Sequence, residues 1–297
     1  MKVGMVGLDN SHCPIFAAML NDHEHPYRVP DAQVVGAYRG GTDQFSLSRN
    51  RIDRITQNVT QPYDVELCDS IEELAREVDA LFLESCDGRQ HLEQFRKMAI
   101  GKPVYIDKPF TTSTADATEI IRLAKETGTP IMSSSSMRYA AGIAGLVTQD
   151  ERVTCCEVFG HAPVLDDYPG LFWYGVHSAE VLFSFMGVGC KQVRCFPYKE
   201  VDVVIGEWDD GRVGIVTGTR FEDGEYGCVI HTDKGPRCGV ALRTPPTFYF
   251  LLQKVIEFFR TGISPIRVEE TFSIMAFLEA ANRSKEQGGV AIPTESL

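Results

Sequence analysis

Short apolar runs alternate with helix-like segments through the first part of this chain, and that alternation constrains its fold more than any other feature. Lys2–Val6, Gln33–Tyr38, Ala80–Leu83, Val104–Ile106 and Pro130–Met132 read as strands. Ser11–Leu20, Ser70–Glu77, His91–Ile100 and Ser113–Thr127 read as the helices between them. Ser70 with Glu73 three residues on forms a capping box, and Gly101 and Gly128 stand where helices should stop. Strands that are apolar throughout, joined by helices, predict a parallel sheet covered on both faces. Asn21–Ala32, with two histidines and two prolines, reads as an inserted surface loop.

After about Ser136 the pattern changes. Thr154–Phe159, Gln192–Pro197, Val203–Glu207, Arg212–Thr219, Gly227–Thr232 and Arg237–Leu242 read as strands. Asp209-Asp210-Gly211 and Asp223-Gly224 read as hairpin turns between them. Phe248–Arg260 and Glu269–Glu286 close the chain with helical spacing. The prediction is an α/β chain. Residues 1–136 form a Rossmann-like doubly wound parallel sheet, and residues 137–297 form an α+β domain with a large, mostly antiparallel sheet.

Composition narrows the function. Hydrophobic residues are 43% of the 297 residues, enough for a substantial core. A net charge of −12 argues against nucleic acid, whose phosphates need clustered Lys and Arg. No apolar run approaches the roughly 20 residues of a membrane span. Nine cysteines, an odd number without a C-x-x-C pair, suit reduced thiols in a cytoplasmic protein. No ligand spacing points to zinc or another metal. Asp9, His12, Asp87, His91 and His177 come from separate loops.

Asp107-Lys108-Pro109-Phe110 follows the apolar run Val104-Tyr105-Ile106 and places a lysine at the C-terminal tip of a buried strand. Ligands bind at such tips in open α/β sheets, and a lysine there can hold a substrate hydroxyl and help move its proton. At the N-terminus, strand, glycine turn and helix suggest a dinucleotide fold. The usual fingerprint is G-x-G-x-x-G. Here Gly7-Leu8-Asp9-Asn10-Ser11-His12 keeps only the first glycine, with Asp9 and His12 at the other two positions. Asp9 or Ser11 either caps the first helix or meets a ligand. The helix N-terminus itself is an anion site. Arg39 stands where an acidic residue normally ends the second strand, which suits the 2′-phosphate of NADP over NAD.

Together these stretches resemble the glucose–fructose oxidoreductase/inositol dehydrogenase (Gfo/Idh/MocA) family. The resemblance rests on Val3–Gly7, on Val78–Ser85 followed by His91, and on Gly101-Lys102-Pro103-Val104-Tyr105-Ile106-Asp107-Lys108-Pro109, similar to the family's GKHVLCEKP stretch. Arg138, the helix around His177, and Glu269-Glu270 through Ala280-Ala281-Asn282-Arg283-Ser284 complete it. It implies an NAD(P)-dependent enzyme acting on a sugar, polyol or related hydroxy compound, assembled as a homodimer or homotetramer. It implies that Gly7, Asp9, Asn10, Ser11, His12, Arg39, Ser85, His91, Asp107 and Lys108 lie along the cofactor site. His177 matches the family's catalytic histidine, while Trp173 stands at the position of the supporting aspartate. Glu180, one turn after His177, is the candidate replacement. His177 is then the acid/base, Lys108 orients the hydroxyl, and Arg138, Trp173 and Tyr174 line a sugar pocket. A different class stays open. With Asp9 and His12 in the phosphate turn, the chain is alternatively a lyase- or epimerase-like enzyme, or a non-catalytic sugar-binding relative, without ordinary dinucleotide binding.

Overall fold

The computed structural model describes residues 1–221 and 224–297, which divide into two compact units. The first unit comprises Met1–Thr111, Ala115–Ser134 and Phe248–Val268. The second comprises Thr112–Thr114, Ser135–Thr247 and Glu269–Leu297. The chain thus returns to the first unit late, whereas the sequence pattern places one boundary at 136. Helical spacing shows that the late segment has an apolar face, but not which sheet that face covers.

The first unit holds strands β1 (Lys2–Val6), β2 (Gln33–Tyr38), β3 (Glu66–Leu67), β4 (Ala80–Leu83), β5 (Val104–Ile106) and β6 (Ile131–Met132). They lie in the order β3-β2-β1-β4-β5-β6, and every pair is parallel. Its helices are α1 (His12–Asn21), α2 (Ser46–Tyr63), α3 (Ile71–Glu77), α4 (His91–Met98), most of α5 (Thr114–Thr127) and most of α7 (Thr247–Thr261). Met5, Val6, Leu81, Phe82, Leu83, Tyr105 and Ile106 have no exposed surface. Burying such a side chain is worth about 1.5–3 kcal/mol. Phe259 of α7 meets Phe82 of β4 edge-on at 5.0 Å. The capping box is present: Ser70 Oγ accepts from the Glu73 N–H at 3.1 Å. In this topology the strand order reverses between β1 and β4, and the crevice beyond their C-terminal ends is where an open α/β sheet binds ligands.

The second unit holds β7 (Val153–His161), β8 (Cys190–Pro197), β9 (Val201–Trp208), β10 (Val213–Thr219), β11 (Gly227–Thr232), β12 (Gly235–Val240) and β13 (Ile292–Pro293). Their order is β12-β11-β7-β10-β9-β8-β13. Every pair among the described strands is antiparallel except β7 with β10. Helix α6 (Gly175–Met186) lies on β7 and β10, and α8 (Val268–Glu286) closes the unit. The turn at Asp209-Asp210-Gly211 joins β9 to β10 as expected, with the Gly211 N–H donating to the Trp208 carbonyl. The second expected hairpin is corrected. Asp223 lies outside the described residues, but β10 and β11 do not pair; β7 lies between them. Alternation marks a strand without naming its neighbour. Among the described residues no helix is long and apolar enough to cross a membrane, and all nine cysteines are free.

Candidate active site

Gly7 ends β1 with φ +88°, a conformation that favours glycine. A Cβ there would lie 2.2 Å from Ser85 Oγ and 2.5 Å from Ser85 N, so the β1 and β4 ends approach too closely for any side chain. Asp9 has no exposed surface and turns inward. Its Oδ2 accepts from Ser48 Oγ at 2.5 Å and its Oδ1 from the Cys86 N–H at 2.9 Å. It therefore ties the turn to α2 and to the loop after β4 rather than standing over the turn. Neither Asp9 nor Ser11 caps α1. Asn10 Oδ1 takes the His12 N–H at 3.2 Å, and Ser11 is left exposed at the helix start with no side-chain cap bond.

Three buried side chains converge beyond β1, β4 and β5. His12 Nδ1, a Glu84 carboxylate oxygen and an Asp107 carboxylate oxygen all lie within 4.8 Å of one another. His12 Nδ1 is 2.9 Å from Asp107 Oδ2 and 4.0 Å from Glu84 Oε2. The shorter contact is an ion-pair distance. Asp107 is held from two other sides, by Asn10 Nδ2 at 2.6 Å and by the Tyr105 hydroxyl at 3.3 Å. Glu84 has no exposed surface, and neither of its oxygens has a hydrogen-bond partner. Burial and then the Asp107 charge push its carboxyl well above the ordinary range, against the pull of Lys108. Burial acts to raise Asp107 as well, but His12 and Lys108 override it and lower the carboxyl to about 2. Lys108 is itself 7% exposed at the β5 tip.

Ser85 is buried after β4 with a hydroxyl that has no partner. His91, expected along the cofactor, is fully buried. Its Nε2 faces the Ser85 carbonyl at 2.8 Å and its Nδ1 the Phe110 carbonyl at 3.0 Å. With no exposed surface, it links the loops that follow β4 and β5. Arg39 pairs with Asp53 at 2.6 Å and lines a cavity of about 370 Å3 with Gly40, Gly41, Thr42 and Ser48.

In the second unit, His177 lies in the first turn of α6, flanked by the rings of Tyr174 and Tyr226. Its Nδ1 is 2.7 Å from Ser135 Oγ. The group expected there, Glu180, is engaged elsewhere. Its Oε2 accepts from Arg138 Nε at 2.9 Å, while Arg138 Nη2 donates to Glu270 Oε1 at 2.6 Å. Glu180 is thus the buried counter-ion of an arginine rather than the carboxylate behind the histidine. The side-chain oxygen at His177 Nδ1 is that of Ser135. Arg138 also borders a cavity of about 580 Å3 with Arg152, Ser184, Phe185 and Arg212. Neither Trp173 nor Tyr174 is among the described residues lining it. Trp173 is 6% exposed and packs edge-on against Tyr168 and Tyr174.

One contributor escaped the sequence reading, and two stand out only as members of longer segments. Ser48 shares a face with Ile52, Ile55 and Val59 of α2, a spacing of 4, 7 and 11 residues that marks the helix and its buried side. Ser135 sits in a four-serine run whose members look alike in sequence. Glu84 ends an apolar strand, where a carboxylate facing the interior has no local signature.

Residues 1–135 match the family model described as Gfo/Idh/MocA: oxidoreductase family, NAD-binding Rossmann fold. No curated protein sequence matches the chain. Solved structures share the fold at low identity. GenD2 from gentamicin A biosynthesis, in complex with NAD, is 14% identical with a TM-score of 0.80, covering 100% of this chain and 97% of that one. The myo-inositol dehydrogenase of Lactobacillus casei, in complex with NAD(H) and myo-inositol, is 14% identical with a TM-score of 0.75, covering 100% and 97%. The myo-inositol 2-dehydrogenase of Lactobacillus plantarum is 13% identical with a TM-score of 0.76, covering 99% of each chain.

Proposed function

Residues 1–135 belong to the Gfo/Idh/MocA oxidoreductase family, and from that premise we propose that this chain is an NAD(P)-dependent oxidoreductase acting on a CH–OH group of a sugar, polyol or related hydroxy compound. The observation that carries the reading is Lys108, a buried lysine at the tip of β5 in a doubly wound sheet. The residues of the first unit fit a dinucleotide. The Asp9 charge is turned inward and hydrogen-bonded, Ser11 is exposed at the start of α1, and the Ser85 hydroxyl is unpartnered. Ser11 and the α1 N-terminus would hold phosphate, and the Arg39 cavity would take the adenosine ribose. Arg39 favours NADP, although Asp53 already shares its charge.

The nicotinamide supplies the hydride acceptor when bound. The chain's own residues handle the proton. His177, with Ser135 Oγ 2.7 Å from its Nδ1, is the group that accepts the hydroxyl proton. Lys108 orients the hydroxyl and stabilises the negative charge that develops on its oxygen. The same reading includes a homodimer or homotetramer and a carbohydrate-like substrate; the inositol bound by a structural neighbour makes cyclic polyols the first compounds to assay. A second reading has its own support. Asp9, Glu84 and Asp107 place three buried carboxyl groups around the β1, β4 and β5 ends, which opposes a diphosphate. In that case the chain is a lyase- or epimerase-like enzyme or a sugar-binding protein. An absorbance assay of NADP+ and NAD+ reduction over a panel of inositols, aldoses and alditols separates the two. Substrate-dependent reduction, faster with NADP+, is the expected outcome; a compound that binds without reducing either cofactor favours the second reading.

A further inference from the structure

We propose that His12, Glu84 and Asp107 form a binding site for one divalent transition-metal cation, with Mn2+ as the representative ion. The site stands on the geometry of the first unit alone and does not depend on the dinucleotide reading.

The donor set is one imidazole nitrogen from the start of α1 and two carboxylates from the ends of β4 and β5, converging within 4.8 Å. Ligand atoms on a tetrahedral ion with bonds of about 2.1 Å stand about 3.4 Å apart. The His12 Nδ1 contacts, 2.9 Å to Asp107 Oδ2 and 4.0 Å to Glu84 Oε2, bracket that spacing.

Glu84 provides the second, independent observation. Its side chain has no exposed surface, and neither oxygen accepts a hydrogen bond. Buried carboxylates are normally paired or bound to metal, because an isolated buried charge costs several kcal/mol. His12 Nδ1 borders the same space, 2.9 Å from Asp107 Oδ2 and 4.0 Å from Glu84 Oε2. The Glu84 oxygens thus face the space bordered by His12 Nδ1 and Asp107 with their lone pairs unused. The neighbouring acid does not compete: both oxygens of Asp9 are taken by Ser48 and Cys86.

Supporting contacts complete the pattern of a metal centre. A ligating carboxylate is usually fixed by outer hydrogen bonds, and Asp107 has them from Asn10 and Tyr105. The His12 ring is wedged against Phe16 and Phe248, which fixes its plane. Imidazole with carboxylate suits Mn2+, Fe2+ or Zn2+ rather than the all-oxygen shells of Ca2+. Three protein ligands leave coordination positions for water or a substrate oxygen, the arrangement of catalytic rather than structural sites. Lys108 is the competing cation, since its charge acts on both carboxyls. It makes no hydrogen bond to Glu84, however.

The test is a titration of the purified, EDTA-treated full chain with Mn2+, followed by the free-ion EPR signal and by thermal melting. Mn2+ is the probe because the nine free cysteines would compete for zinc. One ion per chain and a melting shift that grows with Mn2+ concentration are expected. Glu84→Gln should weaken binding by at least about 10-fold, in line with what perturbing a metal shell costs. It should melt no lower than the metal-free wild type, because it replaces a buried carboxyl that has no hydrogen-bond partner. If Glu84→Gln does not fold, as judged by circular dichroism, His12→Gln serves the same comparison. A wild-type chain that binds no Mn2+ at millimolar concentration, in which Lys108 or a proton suffices for the carboxylates, overturns the proposal. So does a folded variant that binds the ion as tightly as wild type.

Discussion

His177→Ala should lower turnover by about 10²–10⁴-fold, the range that a positioned acid/base group contributes, while leaving the melting temperature close to that of wild type. The ring sits in the first turn of α6, with Ser135 Oγ at one nitrogen and two tyrosine rings beside it. Removing it deletes the only proton acceptor that the proposed chemistry assigns. Ser135→Ala keeps the ring but frees its Nδ1, so it should cost less and displace the pH profile of turnover. The pair of variants separates a catalytic histidine from a packed one. If His177→Ala retains full kcat and KM on a true substrate, the proton-transfer role falls.

Arg138→Ala should destabilise the chain by about 3–5 kcal/mol, as expected when one partner of a buried ion pair is removed. The Arg138 side chain is 10% exposed and bridges Glu180, at 4%, and Glu270, at 18%. Without the guanidinium, Glu180 keeps a carboxyl that burial already pushes upward, with the Arg138 contribution that opposes this gone. Glu270 has a path to water, so most of the loss falls on Glu180. Combining Arg138→Met with Glu180→Gln should recover most of it in urea unfolding, because the double variant leaves no unpaired buried charge. A single variant within about 1 kcal/mol of wild type that instead raises KM would make Arg138 a substrate residue, as the family resemblance implies.

The fold was legible where periodicity and local signals coincide. The apolar strands β1, β2, β4 and β5, the Ser70 cap and the β9–β10 turn follow from residues close in sequence. Helix α2 was not read, because its buried Ile52, Ile55 and Val59 are diluted by polar residues. The place of β7 between β10 and β11 was hidden for another reason: strand adjacency is decided by packing across the sheet, not by alternation within a strand. The site divides the same way. Gly7, Lys108 and His177 are recognisable by their position in motifs. The engagement of Asp9 with Ser48, of Glu180 with Arg138 and of His91 with two carbonyls joins residues 6 to 42 positions apart, and no spacing rule reports it. Asp107 is the instructive case. Its sequence position suggests an anchor for the adjacent lysine, and its three-dimensional neighbours are His12, Asn10 and Tyr105.

Whether the altered glycine turn accepts a dinucleotide is decided most directly by titrating the purified chain with NADPH and NADH and following nicotinamide fluorescence. Saturable binding of at least one, tighter for NADPH and weakened by Arg39→Ala, is the expected result. A folded chain that binds neither, while still binding a polyol, would contradict the oxidoreductase reading.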